Sequence, residues 1–246
     1  MPIRVVFFDA LHTIITPRLP IYVQYSQVFA PYLGELSPDA IRVAFKTSLK
    51  QIQKEKPAYV IEGGANAWWM EVIKRTALGA GADEKDLLKA LPEIVPKLMT
   101  RFSSKEGYKT FPEVLKTLER LREMGIKIGV VSNADSRIRS VLDDLNVAPL
   151  LDTILLSEEE GIEKPNKEIW VRALSRVGCS SAEAMHVGDD IFDDYQGSLN
   201  ANLSPILIRR IGAEGEGESK EDGENLEGVT VIQTLLEIPD RITNTP

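Results

Sequence analysis

The chain has 246 residues, of which 43% are hydrophobic and 27% charged, enough to bury a sizeable core and ordinary for a water-borne globular protein. A net charge of −8 and a pI near 5.0 argue against a nucleic-acid surface or an anionic membrane as partner. No uninterrupted apolar run approaches the roughly 20 residues of a membrane span, and the single cysteine, Cys179, excludes an internal disulfide.

The opening "MPIRVVFF" enters a strand almost at once, which leaves no room for a signal peptide. With the lone cysteine, this sets the expectation of a reducing compartment, the cytoplasm and with it the nucleus. The first apolar run, Ile3–Phe8, ends in Asp9, and Thr13 follows four residues later. From about Pro17 to Phe102 the pattern is helical and no strand stands out. In "SPDAIRVAFKTSLKQIQ", Ser37 caps, Pro38 opens, and Ile41, Phe45, Leu49 and Ile52 form one stripe. "NAWWMEVIKRTAL" and "EKDLLKALPEIVPKLMTRF" supply further helices. The pair Trp68–Trp69 reads as packing between helices, while Arg18, Tyr22 and Tyr25 are candidate substrate contacts.

In "TFPEVLKTLERLREMG", Thr110 can cap, Pro112 suits a first turn, Val114, Leu118 and Leu121 share a face, and Gly125 ends the helix. Strand-length apolar runs then recur at Ile126–Val131, Thr153–Leu156, Ala184–Val187, Pro205–Ile208 and Val229–Ile232, mostly with amphipathic helices between them. Short buried strands alternating with helices predict an α/β fold, a Rossmann-like parallel sheet with helices on both faces. The expected domains are an α/β core, 1–15 and 103–246, and an inserted all-helical cap, 16–102, placed like a lid at the sheet's carboxyl edge. The late stretch Gly212–Gly228, rich in glycine and acids, reads as a flexible surface loop with almost nothing to bury, dispensable for folding.

Four motifs fall at the carboxyl ends of strands, where ligands sit in such folds. They are Asp9 with Thr13; Ser132 and Asn133 in "GVVSNAD"; Lys164 before Pro165 in "EEEGIEKPNKEIW"; and Asp189, Asp190, Asp193 and Asp194 in "MHVGDDIFDDYQG". A carboxylate can attack phosphorus and form an acyl phosphate. A hydroxyl and an ammonium suit the phosphoryl oxygens. Clustered carboxylates repel one another unless a cation lies among them, and hard oxygen ligands favour Mg²⁺.

"FFDALHT", "VVSNAD", "GIEKPNKEIW" and "HVGDDIFDDYQG" resemble the four motifs of the haloacid dehalogenase-like hydrolase superfamily, and the helical insertion resembles its type-1 cap. The resemblance implies a phosphatase of a small phosphorylated metabolite, with Asp9 as nucleophile and Lys164 as its catalytic cation. Ser132, Asn133 and Thr13 would meet the substrate. Mg²⁺ would be held by Asp9, Asp189, the Leu11 carbonyl and, through the acidic pair, Asp194. Asp190 and Asp193 would be variable, solvent-facing or supporting. The expected chain is a monomer or homodimer with no nucleic-acid or membrane partner.

One position departs from the pattern. The family's phosphatases carry a second Asp two residues after the nucleophile, to protonate the leaving group and activate water, and here that residue is Leu11. The alternatives are a weak or inactive relative that binds a phosphorylated ligand or a protein, and a 2-haloacid dehalogenase, whose first motif also lacks that acid. Dehalogenases lack the acidic pair kept here as Asp189 and Asp194. His12 is the tempting replacement acid, but alternation along an extended segment would turn it away from the site. His186, inside a strand, reads as a satisfied core histidine.

Overall fold

The computed structural model describes residues 2–59, 61–220 and 223–243. The chain forms two compact units, one of Met1–Thr16 with Lys109–Pro246 and one of Pro17–Tyr108. No helix among the described residues is long and apolar enough to cross a membrane.

The first unit is built on a six-stranded sheet of β1 (Val5–Phe8), β4 (Lys127–Ser132), β5 (Thr153–Leu156), β6 (Ala184–Gly188), β7 (Ser204–Ile208) and β8 (Val231–Ile232). Its spatial order is β5-β4-β1-β6-β7-β8, with all pairings parallel. All six apolar runs identified in the sequence become strands, within a few residues at each end. Two further short strands, β2 (Ile15–Pro17) and β3 (Tyr108–Thr110), make a second sheet that the sequence pattern did not disclose, since three residues carry no period.

β1 is central and fully buried, as its VVFF sequence requires of a strand covered on both faces. The helix Glu168–Val177 packs Ile169, Trp170, Ala173, Leu174 and Val177 against Val5, Phe7, Val131 and Leu155. The helix predicted to open at Thr110 and Pro112 begins instead at Val114, with Glu113 before it, and buries Val114, Leu118 and Leu121 as expected. Thr110 belongs to β3 and lies four residues before Val114, too far from the first turn to cap it.

The second unit is helical: α1 (Ile21–Leu33), α2 (Pro38–Glu55), α3 (Gly64–Gly79) and α4 (Glu84–Arg101), with a 3-10 turn at Pro57–Tyr59 between α2 and α3. Ser37 caps α2 by accepting from the Ala40 amide, as its position before Pro38 suggested. Tyr25, proposed as a substrate contact, is core instead. It is 2% exposed and packs its ring on Phe29, Phe45 and Phe102 at centroid distances of 5.6, 5.2 and 5.8 Å. Trp68 and Trp69 pack edge to face at 5.0 Å, and the Trp68 indole donates to the Lys56 carbonyl at 2.9 Å. That is a helix-packing pair with its polar edge satisfied.

Candidate active site

Strand register assembles the site. Phe8 lies beside Val130 on one side and Val187 on the other, so Asp9 emerges between the ends of β4 and β6. Two residues past those partners come Ser132 and Asp189, and the Asp9 amide donates to the Val187 carbonyl at 2.9 Å. Parallel neighbours therefore deliver three of the four motifs to one edge with no further device.

The fourth motif brings a buried ammonium. Lys164, 3% exposed, donates from Nζ to Asp9 Oδ1 and to Asp194 Oδ1, each at 2.6 Å. Its backbone is clamped by Asn133, whose Oδ1 accepts from the Lys164 amide at 2.7 Å and whose Nδ2 donates to the Lys164 carbonyl at 2.9 Å. Asn133 was expected to meet substrate, but its amide is committed at both ends and it positions Lys164. Thr13 departs from expectation in the same way. It is fully buried, its hydroxyl has no partner, and its carbonyl accepts from Arg210 at 2.8 Å, which makes it part of the interior of the turn.

Asp194 can approach because β6 ends in glycine. A Cβ on Gly188 would lie 2.1 Å from the Asp194 carboxyl carbon, so any other residue would displace that carboxylate. Asp194 Oδ1 also meets His186 Nε2 at 2.8 Å, and Oδ2 accepts from the Asp190 amide at 3.0 Å. His186 is a core histidine as the sequence suggested, 0% exposed, but only half satisfied: one nitrogen braces Asp194 and the other, Nδ1, is buried without a partner. Asp190 caps the following turn through the Phe192 and Asp193 amides, and Asp193 accepts from Asn133 at 3.2 Å. Both support the site from outside it.

Asp9, Asp189 and Asp194 present oxygens within 4.8 Å of one another, the one such acidic group among the described residues. Burial, opposed by Lys164, pushes the Asp9 carboxyl above its usual range. Burial and then the Asp9 and Asp194 charges push Asp189 well above its own. Burial works against Asp194 too, but Lys164 and His186 hold it below the normal range. Lys164 is held above its usual value by Asp194 and Asp9 despite its burial. Burial and Asp190 push Asp193 up to about 7. One ammonium for three buried carboxylates leaves a net negative cluster of hard oxygens, a donor set that fits a divalent cation such as Mg²⁺.

Residues that the sequence reading missed also converge here. The stretch Gly212–Gly228 is no free loop, although Glu221 and Asp222 lie outside the described residues. The Ser219 amide donates to Asp189 Oδ2 at 2.7 Å, the Glu218 side chain is buried, and Glu224 pairs with Arg209. Deleting the stretch would strip these contacts, so its expected dispensability is withdrawn. Arg210, 4% exposed, donates to the carbonyls of His12 and Thr13 and to Glu113, and its guanidinium lies 3.5 Å from the Phe111 ring centroid. The signal available in sequence was the pair Arg209–Arg210 at the carboxyl end of a strand.

The segment after Asp9 turns rather than extends. Ile14 and Ile15 amides both return to the Ala10 carbonyl, and His12 has φ of 61°. Side chains do not alternate in such a turn, so His12 is not set on the far face as an extended strand would set it. Its imidazole is mostly buried, and burial together with the Arg210 charge lowers its pKa to about 4. Unfolded, His12 takes a proton below about 6.5; folded, it resists until about 4, so stability falls as pH drops through that window. At 1.36 kcal/mol per unit the loss is on the order of 3 kcal/mol. His12→Asn, which tolerates positive φ, should flatten this part of the stability–pH curve in urea titrations. Parallel curves for parent and variant would contradict it.

A family model described as haloacid dehalogenase-like hydrolase matches residues 3–202. The chain belongs to the haloacid dehalogenase-like hydrolases. It is 27% identical over 248 residues to haloacid dehalogenase-like hydrolase domain-containing protein 3 of Danio rerio, covering 98% of this chain and 97% of that one. It is 32% identical over 171 residues to a glyceraldehyde 3-phosphate phosphatase of Methanothermobacter thermautotrophicus, covering 69% and 71% of the two chains. A solved dehalogenase with an intermediate complex superposes with a TM-score of 0.72 over 99% of both chains at 17% identity, a likeness of fold. The family match makes this chain a hydrolase.

Proposed function

We propose that this hydrolase is a slow, Mg²⁺-dependent phosphatase that transfers the phosphoryl group of a small phosphorylated metabolite to Asp9. The observation that carries the reading is Lys164 bridging Asp9 and Asp194 beside Asp189, all buried at one sheet edge. Asp9 would attack phosphorus, with the leaving group departing as its oxyanion. Lys164 orients Asp9 and offers positive charge to the phosphoryl oxygens, and the Ser132 hydroxyl, hydrogen-bonded to Asp9, lies where it can add a donor. Mg²⁺, held by Asp9, Asp189 and the Leu11 carbonyl with Asp194 in support, would neutralise charge that builds on the transferring group. The acyl phosphate on Asp9 is then hydrolysed by water.

Leu11 can neither protonate the leaving group nor activate that water, a loss of typically ~10²–10⁴ in rate. This favours substrates whose leaving group departs unprotonated, and it is also the observation that keeps a second reading, a non-catalytic binder of phosphorylated ligands. A panel of aryl, acyl and alkyl phosphates with and without Mg²⁺ separates the two. Turnover that needs Mg²⁺ and vanishes in Asp9→Asn is the expected result. No turnover by the parent on any substrate, with phosphate esters still bound, would favour the binder.

A further inference from the structure

Asp189 is gripped from both ends by a segment outside the four motifs. Its Oδ2 accepts from the Ser219 amide at 2.7 Å. Arg209 donates through Nη1 to the Asp189 carbonyl and through Nη2 to the Ser219 carbonyl at 3.1 Å, so one guanidinium spans the two residues. Glu218, between them in this clasp, is buried; it accepts from the Arg210 amide at 2.7 Å and pairs with Lys220 at 3.0 Å. Arg210 continues the chain of contacts to the carbonyls of His12 and Thr13, in the turn that carries Leu11. Gly217 completes the seat: a Cβ there would lie 2.2 Å from His12 Cε1 and 2.4 Å from Nδ1, so only glycine lets the segment close on the imidazole.

We infer that Gly217–Ser219 is a positioning element of the metal centre, with Ser219 orienting the Asp189 carboxylate and Gly217 setting the segment against the first-motif turn. The inference rests on the Mg²⁺ reading above. The physical reason is that a carboxylate has two oxygens and free rotation about its last bond. An amide that occupies Oδ2 fixes the plane and leaves Oδ1 for a cation, a role in which partners behind a ligand typically contribute 10–100-fold in affinity. The acidic charge of the stretch is not what does this; a backbone N–H is.

Calorimetric Mg²⁺ titration of the full chain tests it. Ser219→Pro removes the amide donor, and Gly217→Ala pushes the segment off His12. Each should weaken Mg²⁺ binding about 10–100-fold while the metal-free protein stays folded. His12→Gly combined with Gly217→Ala removes the collision and should restore affinity to near that of the parent, which a general loss of structure would not allow. Glu214→Ala, which removes an exposed acid of the same stretch, should bind Mg²⁺ as the parent does. A parent that binds Mg²⁺ with both single variants binding equally well overturns the positioning role alone. A double variant no better than Gly217→Ala does so too, as does a Glu214→Ala loss as large as theirs. A parent that binds no Mg²⁺ overturns this inference and the metal-dependent reading together.

Discussion

Leu11→Asp should raise turnover of alkyl phosphates, by up to the ~10²–10⁴ that general acid–base help supplies. Alkoxide leaving groups are poor and need a proton as the P–O bond breaks, so they gain most. Aryl phosphates such as p-nitrophenyl phosphate should gain much less, since their leaving group departs unaided. The introduced acid would join a cluster in which burial and neighbouring carboxylates already raise Asp9 and Asp189. That environment favours the protonated form a general acid needs, whereas Lys164 and a bound cation pull the other way, so the gain can fall short of the full range. Rates of alkyl and aryl substrates for parent and variant, measured at saturating Mg²⁺, give the ratio that matters. If the variant folds and binds Mg²⁺ yet accelerates neither class, the site lacks more than an acid, and the binder reading leads.

Removing the ammonium should cost the fold more than any other single change at the site. In Lys164→Met, Asp9 and Asp194 lose a partner at 2.6 Å each, and three buried carboxylates remain without their bridging cation. Breaking a buried ion pair from one side typically costs 3–5 kcal/mol, because the abandoned charge stays desolvated. Two features bound the loss. Carboxylates with raised pKa values can take up protons instead, so the deficit should shrink as pH falls. Mg²⁺ should also recover part of it by binding the folded state only, and recover more than it adds to the parent. Urea unfolding in EDTA and in Mg²⁺, at neutral and mildly acidic pH, reads all of this. A variant as stable as the parent in EDTA at neutral pH would mean that the three carboxylates are not jointly charged, and that the electrostatic case for a divalent cation is wrong.

Much of the core unit was legible because its signals are local. A buried parallel strand must be a continuous apolar run, so Val5–Phe8, Lys127–Ser132 and Ala184–Gly188 announced themselves, and the polar residue at each end stood out against the run. Parallel register does the rest, since it aligns strand ends whatever lies between them; hence Asp9, Ser132 and Asp189 could be placed together from order alone. Residue type also carried Ser37 as a cap and Trp68–Trp69 as packing, because both depend on neighbours a few positions away.

By itself, then, the sequence determined the α/β architecture, the inserted helices, the family, and the acids and cation that meet at one sheet edge. Only the tertiary structure decided what holds them in place. Asn133 clamping Lys164, His186 bracing Asp194 and Ser219 orienting Asp189 were invisible, and so was Arg210 gripping the turn around His12 across 198 positions of chain. Most of these contacts end on a backbone amide or carbonyl, which every residue type offers, so composition leaves no mark of them. Glycine and acid enrichment made Gly212–Gly228 look solvated for the same reason: its grip depends on two arginines and one carboxylate brought close by folding, not on any apolar side chain it carries.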